Sequence, residues 1–101
     1  MLDHINCPFI SWLESLDATV RHRIKSRLAR VAIGNLGEYK PLGEGVNELK
    51  FKFGSGYRIY YSELDDVIVL LLCAGDKKSQ SKDIKQAKEY LKDYLEGENH
   101  G

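Results

Sequence analysis

Polar and apolar residues alternate on both sides of a Gly54-Ser55-Gly56 break, and a period of two predicts a hairpin of strands. Before the break, Leu49, Phe51 and Phe53 share one face, and Glu48, Lys50 and Lys52 share the other. After it, Tyr57, Ile59 and Tyr61 share a face, with Arg58 and Tyr60 opposite. With the three residues of the break as the loop, Phe53 pairs with Tyr57, Phe51 with Ile59 and Leu49 with Tyr61. The same register sets Lys52 opposite Arg58 and Lys50 opposite Tyr60. A slip of one residue would oppose the faces wrongly. Val67–Cys73 is apolar without alternation, which predicts a central strand covered on both faces. Leu64-Asp65-Asp66 predicts the turn before it, and Ala74-Gly75-Asp76 its end.

A longer period governs the flanks. Phe9, Trp12, Leu13 and Leu16 fall at helical spacing, so residues 8–16 predict a short helix. Asp17 is placed to cap a second helix, striped by Val20, Ile24, Leu28 and Val31 and stopped by Gly34-Asn35. The two make an antiparallel helical hairpin. Residues 36–45, rich in Gly and Pro, read as loop. Ser79 or Ser81 caps a last helix with Ile84, Ala87, Leu91 and Tyr94 or Leu95 on one face. Residues 2–7 carry a weak edge-strand pattern. The expected fold is α+β: an N-terminal helical hairpin on a small twisted antiparallel sheet of three to four strands, with a C-terminal helix, in one domain over residues 1–101.

Composition narrows the class. Apolar residues are 43% and charged residues 30%, ordinary for a soluble domain. The longest apolar run, Val67–Ala74, falls far short of the roughly 20 residues that span a bilayer. The N-terminus lacks a basic region followed by a long apolar core, so no signal peptide is expected. Cys7 and Cys73 lie outside any metal-ligand spacing and read as reduced thiols of a cytoplasmic protein. Net charge is zero, yet residues 18–52 hold eight Lys and Arg against three Glu. A local basic field of that kind bears on nucleic-acid contact more than the total does.

Three places carry candidate chemistry. Lys52 and Arg58, opposed across the predicted hairpin, repel unless an anion sits between them. They form either a phosphate site, with Tyr60 free to stack on a base or donate its hydroxyl, or a solvated strand face whose long side chains cover apolar surface. Gly75-Asp76-Lys77-Lys78-Ser79-Gln80 joins a strand to a helix. It reads as an anion site, with Lys77, Lys78 and Gln80 reaching toward the hairpin, or as a polar loop with a capping serine. Arg21, Arg23, Lys25, Arg27 and Arg30 fall within ten residues without an acid. They make a solvated helix face, or a contact for RNA or an acidic protein. His4, His22 and His100 are scattered, which argues against a zinc site or a His-based dyad, and no nucleophile elbow is present.

The motifs together resemble the RelE/ParE toxin superfamily, and within it the HigB-like branch of addiction-module killer proteins. The resemblance rests on Phe9-x-x-Trp12-Leu13 with Leu16, on Arg23-Ile24 with Arg27-Leu28-x-Arg30, and on Gly34-Asn35. It continues through Gly45-Val46-x-Glu48-Leu49, Gly54-x-Gly56-Tyr57-Arg58-Ile59-Tyr60-Tyr61 and Leu71-Leu72. It ends with Gly75-Asp76-Lys77 and Gln80-x-x-Asp83-Ile84-x-x-Ala87. It implies a toxin of a type II toxin–antitoxin pair that cuts mRNA on the ribosome without metal or cofactor. It also implies an antitoxin partner, a small helix-turn-helix protein encoded next door. The family's basic site residues correspond to Arg58, Lys50 and Lys77. The sequence departs from the pattern at Lys50, where the family usually has arginine, and at Lys82-Asp83-Ile84, where RelE has a tyrosine.

The mechanism expected from this is attack of a ribose 2′-OH on its own 3′-phosphate. Arg58 stabilises the phosphate. Lys50 or Lys52 is the base, and Lys77 is a second phosphate contact or the acid. Tyr60 stacks or donates, and Lys78 and Gln80 bind RNA. Arg58→Ala is expected to abolish toxicity and leave the fold intact. The alternatives are a ParE-like inhibitor of DNA gyrase, and a decayed module that only binds its antitoxin.

Overall fold

The computed structural model describes residues 2–4, 9–35, 37–64 and 69–98. In chain order the elements are β1 (Leu2–His4), α1 (Phe9–Glu14), α2 (Ala18–Ala32), β2 (Tyr39–Gly43), β3 (Val46–Lys50), β4 (Arg58–Glu63), β5 (Val69–Gly75) and α3 (Gln80–Glu98). One sheet runs in the order β1-β5-β4-β3-β2. Its last four strands are antiparallel, as expected. The short N-terminal strand joins the other edge parallel to β5. The expected turn at 65–66 and the start of the apolar run at 67–68 lie outside the described residues.

Local chemistry sets the helix ends. Asp17 caps α2 by accepting the Thr19 amide at 3.1 Å. At the other end the Asn35 amide reaches the Arg30 carbonyl at 2.9 Å and the Gly34 amide the Val31 carbonyl at 3.0 Å. That double closure needs a left-handed residue, supplied by Gly34 at φ 91°. The stripe forms as expected: Ile24, Leu28 and Val31 are buried and Val20 packs beside them.

The sheet separates two apolar layers. On one face Leu49, Phe51, Ile59, Tyr61 and Leu71 pack with Phe9, Leu13, Ile24, Leu28 and Val31. On the other Val46, Tyr60, Leu70, Leu72 and Cys73 pack with Ala87 and Leu91 of α3. This second layer corrects the expectation of an exposed hairpin face. The apolar face of α3 must be buried, and it lies across the face that carries Glu48, Arg58 and Tyr60, all of them buried.

Two further expectations are corrected. Residues 39–43 are a strand rather than loop. Pro41 is tolerated there because β2 is an edge strand. The hairpin register is shifted by two residues: Lys50 faces Arg58, Leu49 faces Ile59 and Glu48 faces Tyr60. The Phe51 amide bonds the Tyr57 carbonyl at 2.9 Å, so the loop is residues 52–56. A two-residue shift keeps every side chain on its own face, so the hydrophobic pattern cannot exclude it. Phe53 and Tyr57, expected to pair across strands, instead meet edge to face at 5.9 Å within an aromatic group that includes Trp12.

Candidate functional site

Because Lys50 and Arg58 are direct partners on β3 and β4, the sheet places a cation pair at the loop end of the hairpin. Arg58 lies inward. Its side chain is 5% exposed, its Nη1 donates to the Gly56 carbonyl at 2.7 Å, and its Nε stands 3.7 Å from Glu48 Oε2. The Glu48 carboxylate is equally buried and also accepts from Gln80 Nε2 at 3.1 Å. Like charges on Lys50 and Arg58 are thus balanced from below by one carboxylate.

The start of α3 is built to hold Gln80 in that position. Asp76 Oδ1 accepts the amides of Lys78 at 2.9 Å and Ser79 at 3.2 Å. The Ser79 hydroxyl donates to Asp83, and Ser79 accepts the Asp76 amide at 3.2 Å. Gly75 makes room for this cap, because a Cβ there would collide with Asp83 and Ser79. Of Ser79 and Ser81, the two serines expected to cap α3, Ser79 joins this network through Asp83, while Asp76 accepts the amides.

A cleft of about 320 Å³ opens over these residues, lined by Glu38, Tyr39, Lys40, Glu48, Lys50, Lys52, Arg58 and Gln80. Of the expected site residues, it brings together Arg58, Lys50, Lys52 and Gln80. Lys52 stands in the loop rather than opposite Arg58, with its Nζ 3.3 Å from Glu38 Oε2. Lys77 and Lys78 are exposed and do not line the cleft. The Lys77 amide touches the hairpin loop at the Ser55 carbonyl, 3.4 Å away. Tyr60 is fully buried beneath α3, so the expected stacking on a base is corrected. Burial raises its phenol well above the usual value, and the Glu48 and Asp83 charges raise it further.

Four cleft residues go beyond those expected from the sequence. Glu48 is readable there only as part of the polar face, although its place two residues before Lys50 puts it beside Arg58 once the register is known. Glu38, Tyr39 and Lys40 fall in the expected loop. The Tyr39 ring is 44% exposed and is the aromatic side chain in the cleft lining. Among the described residues no three or more His, Cys, Asp or Glu gather as metal ligands. None of the described helices is long and apolar enough to cross a membrane.

Residues 11–92 match the family model of Phage derived protein Gp49-like (DUF891). The chain belongs to this family. An uncharacterized protein of Haemophilus influenzae is 44% identical over 81 residues, covering 79% of this chain and 82% of its own. Among solved structures, a mutant of the E. coli toxin RelE in the free state superposes with a TM-score of 0.70 at 26% identity, covering 88% of this chain and 94% of RelE. The Gp49-like chain is therefore a member of the RelE/ParE toxin superfamily, with the α+β fold of RelE.

Proposed function

We propose that this Gp49-like protein is the HigB-like toxin of a type II toxin–antitoxin pair and acts as a ribosome-dependent, metal-independent mRNA endoribonuclease. The observation that carries the reading is the buried Arg58–Glu48 pair at the floor of a lysine-walled cleft. Cleavage by the 2′-OH needs a base, a cation for the pentacoordinate phosphate and an acid for the departing 5′-oxygen. Arg58 offers the phosphate the guanidinium N–H groups that Gly56 and Glu48 leave over. Glu48, held beside it, takes the 2′-OH proton. A lysine base requires a desolvated amine, whereas Lys50 and Lys52 lie in solvent, where they serve as phosphate contacts. Lys50, in the same wall, donates a proton to the departing 5′-oxygen. Gln80 orients Glu48, and Tyr39 takes the stacking role once expected of Tyr60. Lys77 and Lys78, at the rim, attract the strand.

The partner is an antitoxin, a small helix-turn-helix protein encoded adjacently, and the targets are the ribosome and its mRNA in the cytoplasm. The test is a purified translation system with mRNA 5′ ends mapped before and after addition of the protein. Cuts that appear only with ribosomes support the reading. Intact mRNA with DNA-damage signalling in cells supports gyrase inhibition in its place, and an inert protein that still binds its antitoxin supports the decayed module.

A further inference from the structure

A second groove, about 420 Å³, runs between α2 and the end of β3. Its walls include Arg23, Arg27 and Arg30 of α2, and it shares Glu38, Lys50 and Lys52 with the cleft over Arg58. The two depressions therefore meet at the same lysines. Glu38 is the carboxylate in the groove lining, and it is already paired with Lys52 at 3.3 Å.

Arg23 and Arg27 are held by carbonyls and rings rather than by carboxylates. Arg27 donates to the Lys50 carbonyl at 2.8 Å and to the Glu38 carbonyl, so backbone oxygens fix its guanidinium. Arg23 lies over the Phe53 ring, 3.9 Å from its centroid, and Arg30 is exposed. Cations stacked on aromatic rings and tied to carbonyls keep their full charge in a fixed place. Such an array suits a polyanion whose charges recur along a chain.

We propose that this groove binds the phosphodiester backbone of the same RNA strand whose scissile phosphate occupies the Arg58 cleft. The inference rests on the nuclease reading and extends it to flanking nucleotides. Continuity through Lys50 and Lys52 favours one RNA strand over an acidic protein segment, which would have no reason to follow the cleft.

The probe is 2′-O-methyl RNA, in which the attacking hydroxyl is blocked, as a dinucleotide and as a strand of about 10 nucleotides. Binding to the full chain is read by fluorescence anisotropy over a salt series. The wild type gains about tenfold or more in affinity from the longer strand. Arg23→Ala with Arg30→Ala removes that gain and flattens the salt slope by about 1.4, because each cation on a single strand contributes about 0.7. Both residues are exposed, and thermal unfolding confirms that the variant is folded. A wild type that binds neither RNA overturns this inference, and the nuclease reading falls with it only if mRNA on ribosomes is also left intact. A wild type with a length gain that the folded variant keeps overturns the groove alone. So does a variant that keeps the gain and loses binding only to an oligo-glutamate peptide, which would make the groove a protein site.

Discussion

Arg58 and Glu48 form an ion pair under α3, with Nε 3.7 Å from Oε2 and both side chains 5% exposed. The pair is one link of a chain of contacts that runs from the Gly56 carbonyl through Arg58 and Glu48 to Gln80. On the proposed mechanism, function and stability are therefore coupled at Arg58. The expectation that Arg58→Ala leaves the fold intact does not survive this geometry. Removing one partner of a buried pair strands the other charge and costs about 3–5 kcal/mol. Denaturant unfolding of Arg58→Ala should show a loss of that size. Arg58→Met combined with Glu48→Gln should recover most of it.

Tyr61 carries a buried hydroxyl without a hydrogen bond in the structure, whereas the Tyr60 hydroxyl is turned to Glu48. A buried polar group without a partner costs about 1–3 kcal/mol. Tyr61→Phe should be neutral or stabilising in thermal unfolding. A clear loss would show that the hydroxyl is paired in solution.

The same two residues set an alkaline limit. Burial pushes Tyr61 up to about 12 from its ordinary 10, with the Glu63 charge adding to it, and raises Tyr60 further. A folded-state value above the unfolded one means the folded protein holds more protons. Stability is then fully present below about pH 10 and falls as pH rises through about 12. Denaturant midpoints measured upward from pH 9 should decline past pH 10, and less steeply in the Tyr61→Phe variant.

The turn between β2 and β3 places Glu44 at φ 54° and Gly45 at φ 83°. A two-residue turn with both angles positive prefers Asn-Gly over Glu-Gly. Glu44→Asn should raise stability in a denaturant titration, by up to the about 1–2 kcal/mol that a left-handed residue other than Gly or Asn costs. Glu44 also lies 3.9 Å from Lys88 Nζ, a largely exposed contact whose loss matters little.

The elements that were legible in the sequence are those whose periodicity is specific. The α2 stripe with its Asp17 cap and Gly34 stop, the Ser79 cap and the two faces of the hairpin were all readable from residue order. The register was not, because shifting Lys52 away from Arg58 by two positions leaves the pattern of faces unchanged. Tyr39 was hidden by the Gly and Pro around it, since an edge strand tolerates residues that normally signal loop. The role of Glu48 and the burial of Tyr60 depended on where α3 docks. One helix face in sequence does not say which sheet face it covers. Arg58 and Lys50 share the strand face on which the pattern sets them, although they are opposed to each other rather than to Lys52 and Tyr60.

Tyr39 supplies a separate test of the cleft. If it stacks on a base, Tyr39→Ala should weaken binding of short RNA by about 1–3 kcal/mol, and Tyr39→Phe should restore most of it. The ring is 44% exposed, so the substitution should change thermal stability little.

Cleavage itself is the most direct measurement. Wild type and Arg58→Lys, which keeps the buried charge but loses the planar fork, are compared in a purified translation system by mapping mRNA 5′ ends. The wild type should cut mRNA only when ribosomes are present. Arg58→Lys should lower the rate by about 10²–10³ while remaining folded. A folded wild type that arrests growth yet leaves mRNA intact on ribosomes, or an Arg58→Lys protein that cuts at the wild-type rate, would contradict the assignment of this cleft to RNA cleavage.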